Sequence, residues 1–217
     1  MTSTISASAL LDVAAPPRHV AREDIEHLAS VLSQAFDADP FINWFVLQDG
    51  QRQARFEHTF RIILERMSHQ LNASFTTSQR EGCAVWKRPG EHTIGWRQQL
   101  GLLPAFARVM GWRGIPRFLK LMDFAQKLHE QLVPEPHFYL FVLGVHPQQQ
   151  SRGVGTRLLR PILERCDAEN RRAYLETACA ENLPFYARHG FHVAHVIDEP
   201  SFPKLWLMVR KPICPQS

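Results

Sequence analysis

The segment Gln150-Ser151-Arg152-Gly153-Val154-Gly155 follows an apolar run, Phe138-Tyr139-Leu140-Phe141-Val142-Leu143-Gly144-Val145, and precedes an amphipathic one, Thr156-Arg157-Leu158-Leu159-Arg160. Strand, glycine turn, helix is an arrangement in which glycines carry chemistry. Backbone without a Cβ approaches an anion closely and can aim several N–H groups at it. The helix that follows adds its unpaired first donors and the positive end of its dipole, so the turn suits a pyrophosphate. The same pattern also serves as a plain connection between a strand and a helix. A nucleotide-binding role fits poorly. The turn lacks the Gly-Lys-Ser/Thr ending of a P-loop, and no acidic residue stands at Rossmann distance at a second strand end. His189, His192 and His195 match neither a helix pair nor one strand face, since 192 and 195 differ in parity, so no metal is expected.

Further along stand Tyr174-Leu175-Glu176-Thr177 and Asn182-Leu183-Pro184-Phe185-Tyr186-Ala187-Arg188-His189-Gly190-Phe191. With Val145-His146-Pro147, the Gln150-x-x-Gly153-x-Gly155 loop and a closing Leu205-Trp206-Leu207-Met208-Val209-Arg210, they cover roughly 137–211. This set resembles the GNAT superfamily of acyl-CoA-dependent N-acetyltransferases. Within it the run Leu-Glu-Thr, Asn-Leu-Pro-Phe-Tyr, Gly-Phe is most similar to the branch containing puromycin N-acetyltransferase. Ala84-Val85-Trp86-Lys87-Arg88-Pro89 and Ala35-Phe36-Asp37-Ala38-Asp39-Pro40 add to that similarity. One departure is Ser151, where most relatives have glycine; if the position needs positive φ, serine adds strain.

The resemblance implies a mixed α/β (α+β) domain with the GNAT fold. Its single, mostly antiparallel sheet would be flanked by helices, with strands 137–145 and 173–177 splayed to form the slot for CoA. It also implies acetyl-CoA as cosubstrate, held by Leu143, Gly144, Val145, Gln150, Ser151, Arg152, Gly153, Val154, Gly155, Thr156, Asn182 and Tyr186. Glycine within a strand often marks a bulge, and Gly144 is the expected one. A bulged strand leaves backbone groups unpaired, and the two amides of pantetheine could pair with those at Leu143 and Val145. Tyr186 is protonated near neutral pH and stands at the motif position beside the cofactor sulfur, which suits it to donate to the leaving thiolate. A satisfied core aromatic is the plain alternative. Asn182, one turn earlier, either contacts the pantetheine arm or caps the helix. Glu176 is the candidate general base, or else a structural acceptor; His137 and Tyr139 alternate on the neighbouring strand and could reach the same cleft.

The acceptor would be an amine. Phe41, Trp44, Phe45, Trp86, Trp96, Trp112 and Phe118 are available to line a pocket, and Asp37 and Asp39 could attract a cation, although most such aromatics are core. The insert 96–132, with Trp96, Phe106, Trp112 and Phe118, could wall off one side of the cleft. That favours a small-molecule primary amine, attacked in a ternary complex, over a peptide. A protein or peptide N-acetyltransferase, or a non-catalytic acyl-CoA sensor, are the alternatives.

The chain has 217 residues, 45% of them hydrophobic, which suits one domain with a sizeable core. Lys and Arg exceed Asp and Glu by only four, too mild an excess to predict nucleic acid. No run approaches the ~18 uninterrupted apolar residues of a membrane helix. Residues 1–17 read as a flexible arm rather than a signal peptide, 18–211 as one GNAT domain and 212–217 as a tail. Cys83, Cys166, Cys179 and Cys214 show no paired spacing, which predicts reduced thiols and a cytoplasmic protein; homodimerisation is left open. Apolar periodicity predicts helices at 23–36, ended by Asp37–Pro40, and at 52–71. Further helices fall at 96–132, broken near Gly111–Pro116, at 153–169, kinked by Pro161, and at 181–188. Strands are predicted at 73–78 and 83–88 around a turn at Glu81-Gly82, then at 137–145, 173–177, 191–197 and 205–210.

Overall fold

The structure, a computed structural model, describes residues 15–68, 73–90 and 103–213, with backbone alone for 67–68 and 103–106. Residues 1–14 of the expected arm, Trp96, Cys214 and the Phe106 side chain fall outside what is described. The first elements are β1 (Arg18–His19) and α1 (Ile25–Ala35). Ile25, Leu28, Ala29 and Leu32 form the stripe that the periodicity predicts, all at most 4% exposed. Arg18 and the buried Asp24 form a two-pronged ion pair at 2.6 and 2.8 Å, which ties β1 to the start of α1.

Asp37–Pro40 ends α1 and also opens a helix that the pattern does not reveal, α2 (Pro40–Phe45). Asp39 is its N-cap, accepting from Ile42 N at 2.9 Å, and Pro40 is preset for the first helical position. Next come α3 (Arg52–Ser68), β2 (Ser74–Thr76) and β3 (Gly82–Lys87). The β2–β3 turn precedes Glu81-Gly82 and places Arg80 at φ 57°. Gly82 is instead the first residue of β3, where a Cβ would lie 2.6 Å from Gly144 O. Helix α4 (Leu103–Leu132) is broken at Gly111 (φ 69°, ψ 158°), within the predicted Gly111–Pro116 window.

The remaining elements are β4 (Phe138–Val145), α5 (Val154–Ala168, continuous through Pro161), β5 (Ala173–Thr177), α6 (Leu183–Arg188), β6 (Phe191–Ile197) and β7 (Leu205–Arg210). The strands form one sheet in the order β1-β2-β3-β4-β5-β7-β6, antiparallel except for β4 beside β5. One expectation needs correction: the bulge in β4 is not at Gly144. Val85 pairs with Val142 and Trp86 with Leu140, so Phe141 is the extra residue, while Gly144 pairs regularly with Cys83. Glycine at 144 answers to packing. A Cβ there would lie 2.5 Å from Leu32 Cδ2 and 3.1 Å from Phe36 Cε2, so glycine lets α1 press onto the strand.

The sheet has two differently covered faces. Ala84, Trp86, Phe138, Leu140, Leu175 and Met208 pack against α5 and α6. On the opposite face, Cys83, Val85 and Val142 meet α1 and α3, while Tyr174, Leu207 and Val209 meet α4, with Phe41 and Trp44 of α2 beside them. Arg210, 3% exposed, locks β7 to α5 through paired 2.8 Å bonds to Asp167, and it donates to His189 O at 2.9 Å.

Candidate functional site

Strands β4 and β5 pair over three positions only: Phe138 with Ala173, Tyr139 with Tyr174 and Leu140 with Leu175. Beyond Leu140 the partnership ends, although β4 runs on to Val145. The predicted splay is therefore present. His146 N donates to Glu81 O at 2.8 Å, toward β3. By strand alternation, the N–H and C=O groups of Leu143 and Val145 point the other way, into the gap. Val145 O is occupied, accepting from Gln150 Nε2 at 3.1 Å. The side chain of Gln150 thus folds the loop back onto the strand end and leaves the N–H groups of Leu143 and Val145 facing the gap.

The glycine loop lies at the same end. Ser151 has φ 60° and Gly153 φ 79°, with a negative φ at Arg152 between them. Such alternation turns successive N–H groups toward one concavity. Serine does occupy a positive-φ position here, as its departure from glycine raised. Gly153 is the N-cap of α5, has open space around it and provides no side-chain cap, so the first N–H groups of α5 are open to an acceptor. The other loop residues divide by role. Val154 is buried and presents only backbone, and the Arg152 side chain is exposed and bonds to Gln149. A Cβ on Gly155 would lie 3.0 Å from Phe185 Cζ, so this glycine serves the close approach of α5 to α6 as well as the loop. The loop has the donors, the dipole and the absent side chains that a pyrophosphate requires.

Thr156 links the same two helices. His189 Nδ1 lies 2.8 Å from Phe185 O, which can only accept, so Nδ1 carries the proton and Nε2 accepts from Thr156 Oγ1 at 3.1 Å. His189 is thereby committed to packing. No group of His, Cys, Asp or Glu among the described residues is placed to hold a metal.

Tyr186 on α6 is 7% exposed and makes no hydrogen bond through its hydroxyl among the described residues. Burial, with Cys179 and Asp39 nearby, raises its phenol well above the ordinary range, so it stays protonated. Asn182 ends a short 3-10 turn and stands at the start of α6 with helical backbone angles, four residues before Tyr186; its side chain is exposed and makes no cap bond, so the capping role is not realised.

Across the gap, on the other face, stands Glu176. Its two carboxylate oxygens accept from Tyr174 Oη at 2.7 Å and from Tyr139 Oη at 3.3 Å. Burial raises its carboxyl above the usual range, while the two hydroxyls and the charge of Lys87 oppose that rise. Tyr139 shares this site as its parity predicts; His137 instead bonds to His129 at 2.7 Å. Asp39, also raised by burial, accepts from Cys179 Sγ at 3.5 Å. Asp37 is exposed and paired with Arg52 on α3, away from any buried amine site. Of the aromatic candidates, Trp86 and Phe45 are core and Trp112 is 71% exposed, so Trp112 does not wall the cleft. Trp44 and Phe124 meet Phe202 of the β6–β7 loop at 6.2 and 6.3 Å, joining α2, α4 and the hairpin. Phe118 packs against Phe45 at 5.1 Å. Phe202, Phe124 and His129 escape a sequence reading because nothing local announces their contacts.

Residues 108–191 match the Acetyltransferase (GNAT) family, a span that runs from α4 to the start of β6 and contains the loop, Glu176 and Tyr186. Over 212 residues the chain is 25% identical to the uncharacterized N-acetyltransferase C550.08 of Schizosaccharomyces pombe, covering 90% of this chain and 83% of that one. Among solved structures, the histone acetyltransferase HPA2 and related acetyltransferase from Corynebacterium glutamicum aligns over 94% of this chain and 100% of its own, at 20% identity and TM-score 0.64. Arylalkylamine N-acetyltransferase 2 from Aedes aegypti aligns over 90% of this chain and 97% of its own, at 16% identity and TM-score 0.62. These two likenesses establish the fold. The family match over 108–191 and the named sequence relative support an acyl-CoA-dependent N-acetyltransferase of the GNAT type.

Proposed function

For this GNAT N-acetyltransferase we propose a small-molecule acceptor: the acetyl group of acetyl-CoA passes to a primary amine of a small, partly aromatic compound by direct attack in a ternary complex. The observation that carries the reading is the division of the site across the β4–β5 gap. Open backbone donors and Tyr186 lie with α5 and α6, while Glu176 and the aromatic cover of α2, α4 and the β6–β7 loop lie on the opposite face. The contacts of Trp44, Phe124 and Phe202 close that face with side chains, where a peptide would need an open groove. A small aromatic amine also agrees with the puromycin-acetyltransferase-like motifs, and one structural neighbour is named as an arylalkylamine N-acetyltransferase.

When bound, acetyl-CoA supplies the activated acyl group. The N–H groups of the loop 150–156 would hold its pyrophosphate, and those of Leu143 and Val145 its pantetheine amides, with Asn182 beside that arm. Glu176 takes the proton that the amine sheds as the C–N bond forms. Tyr186 donates to the sulfur as the C–S bond breaks, so that the products are the amide and the free thiol. Asp39, half-buried, gives the acceptor side a second acidic group to meet an ammonium. Cys83 and Cys166 are buried free thiols, in keeping with a cytoplasmic enzyme.

The test is thiol release from acetyl-CoA against a panel of arylalkyl and alkyl amines and lysine peptides at several pH values. Small amines should show the higher kcat/KM, rising with pH as the neutral amine fraction grows. Turnover of peptides alone would refute the acceptor class. Tight CoA binding with no turnover of any amine would make the chain an acyl-CoA sensor.

A further inference from the structure

Glu176 is held from two strands at once. Tyr174 precedes it by two residues on β5 and so shares its face; Tyr139 lies opposite Tyr174 in the parallel ladder. The two hydroxyl bonds differ in length, 2.7 Å from Tyr174 to Oε1 and 3.3 Å from Tyr139 to Oε2. Tyr174 has no freedom to leave. It is fully buried, and the ring of His129 from α4 stacks on it at 3.8 Å and 6°. The Tyr139 ring packs 5.3 Å from Tyr174 and 5.1 Å from His129.

Behind this layer the two histidines fix each other. His137 Nδ1 lies 2.7 Å from Glu135 O, which only accepts, so Nδ1 carries the proton and His137 Nε2 accepts from His129 Nε2 at 2.7 Å. Both rings are neutral in this arrangement. Burial, the neighbouring His137 and Lys87 push His129 down to about 3. Contact between His129 and Tyr174 is face to face, with no hydrogen bond, so the histidines form a mechanical support and not a proton path to Glu176. Lys87 of β3, over the rings of Tyr139 and Phe141 at 5.1 and 4.6 Å, is the cation on this side. Asp39 of α2 is engaged by Ile42 N and Cys179.

We propose that Tyr174 and Tyr139 are positioning residues for acetyl transfer. Tyr174 anchors Oε1 of Glu176 through the short bond, and Tyr139 steers Oε2 more loosely on the β4 side, where that oxygen takes the amine proton. The proposal rests on the reading of Glu176 as the base. Burial alone would favour the uncharged acid, and two hydroxyl donors favour the carboxylate, the shorter one more.

The experiment compares wild type, Tyr174→Phe, Tyr139→Phe and Glu176→Gln. One measurement is the pH dependence of kcat/KM with a weakly basic amine that is neutral throughout the range. The other is the titration of the Glu176 carboxyl in free enzyme, followed by 13C NMR and assigned with Glu176→Gln. A base acts only when ionised, so raising its pKa moves the acid limb to higher pH. Tyr174→Phe should move both the limb and the carboxyl titration up by about one unit, and Tyr139→Phe by clearly less. The proposal is overturned if Tyr174→Phe leaves both unmoved, or if Tyr139→Phe has the larger effect. Should either variant misfold, the other and its carboxyl titration still decide: for Tyr139→Phe alone, a carboxyl that does not rise is the contrary result. A Glu176→Gln enzyme with the wild-type rate and limb removes the base itself, and any NMR shift in Tyr174→Phe is then only structural.

Discussion

Replacing Tyr186 by phenylalanine separates chemistry from packing because it removes the donor and keeps the ring. The ring is 7% exposed and surrounded by Leu158, Phe191 and their neighbours in the core against α5, so its removal would be costly, but phenylalanine retains it. The hydroxyl makes no hydrogen bond among the described residues, so its loss breaks nothing in the free enzyme. The oxygen is not among the enclosed, unpartnered polar atoms, so removing it should leave the variant as stable as the wild type to within ~1 kcal/mol. For a chain of this size ~1 kcal/mol corresponds to a change in Tm of about 2–4 °C. In the reaction the same hydroxyl meets a sulfur that gains negative charge. A hydrogen bond to a charged group contributes ~1.5–3 kcal/mol, and proton donation in the transition state can contribute more, so kcat should fall by ~10²-fold. Single-turnover acetyl transfer, with acetyl-CoA affinity from calorimetry and Tm from scanning calorimetry, gives all three quantities. A variant with unchanged kcat under chemistry-limited conditions refutes the donor role. A drop in Tm paired with a matching loss of affinity would make Tyr186 a structural residue.

Two glycines of the loop should respond differently. Gly153 stands at φ 79° in open space, so Gly153→Ala costs ~1 kcal/mol of left-handed strain and should weaken CoA binding with only a small loss of Tm. Gly155→Ala meets Phe185 at 3.0 Å and should lower Tm by more, at ~1–3 kcal/mol, displacing the helix that carries Tyr186. Equal Tm losses with equal affinities would show that this division is wrong. At the other end of α5, Asp167→Asn leaves the buried Arg210 guanidinium without its carboxylate and should cost ~3 kcal/mol in urea unfolding at pH 7. Arg210 holds the folded carboxyl below its ordinary value. Its contribution is therefore complete above the unfolded value of ~3.9 and disappears as pH falls through the lower folded one. Unfolding curves for wild type and variant that stay equally far apart at pH 7 and pH 2 would contradict the assignment.

The later strands were legible because their alternation is bounded by turn residues: 173–177, 191–197 and 205–210 carry the expected limits. Other elements had no pattern to show. A strand of two residues such as β1 has no period, and α2 is hidden because Asp39-Pro40 both stops one helix and caps the next. The bulge at Phe141 sits inside an uninterrupted apolar run, where a glycine two residues beyond β4's midpoint drew the prediction instead. In α4 the stripe through Phe118, Met122 and Ala125 was visible, yet Leu121 is the fully buried residue and Leu119 is 41% exposed. Gly111 resets the helix phase, and this turns Trp112 to solvent. Within the site, strand parity placed Tyr139 beside Glu176. The support from His129 depends on how α4 crosses the sheet, a tertiary fact with no local trace.

The gap itself has a physical origin in these residues. A bulge adds a residue to one strand only, bends it and increases its twist. Phe141 does so immediately after the last pairing of β4 with β5, so β4 is turned away from its neighbour at that point. Gly144 then lets α1 lie against the departing strand, and Gly82 lets β3 follow it closely, which keeps β4 paired on one side while the other stays open. The opening is the place where a group carried on the α5–α6 face can reach one held on the α2–α4 face without crossing a hydrogen-bonded ladder. Filling Gly144 should therefore act on the gap and not only on the core. A methyl at 144 pushes on Leu32 and Phe36, forces β4 and α1 apart, and so shifts the Leu143 and Val145 N–H groups. Gly144→Ala is thus expected to lose CoA affinity beyond what its ~1–3 kcal/mol of lost stability explains, measured by calorimetry well below its Tm. Wild-type affinity in a destabilised Gly144→Ala would detach the slot from the packing of α1.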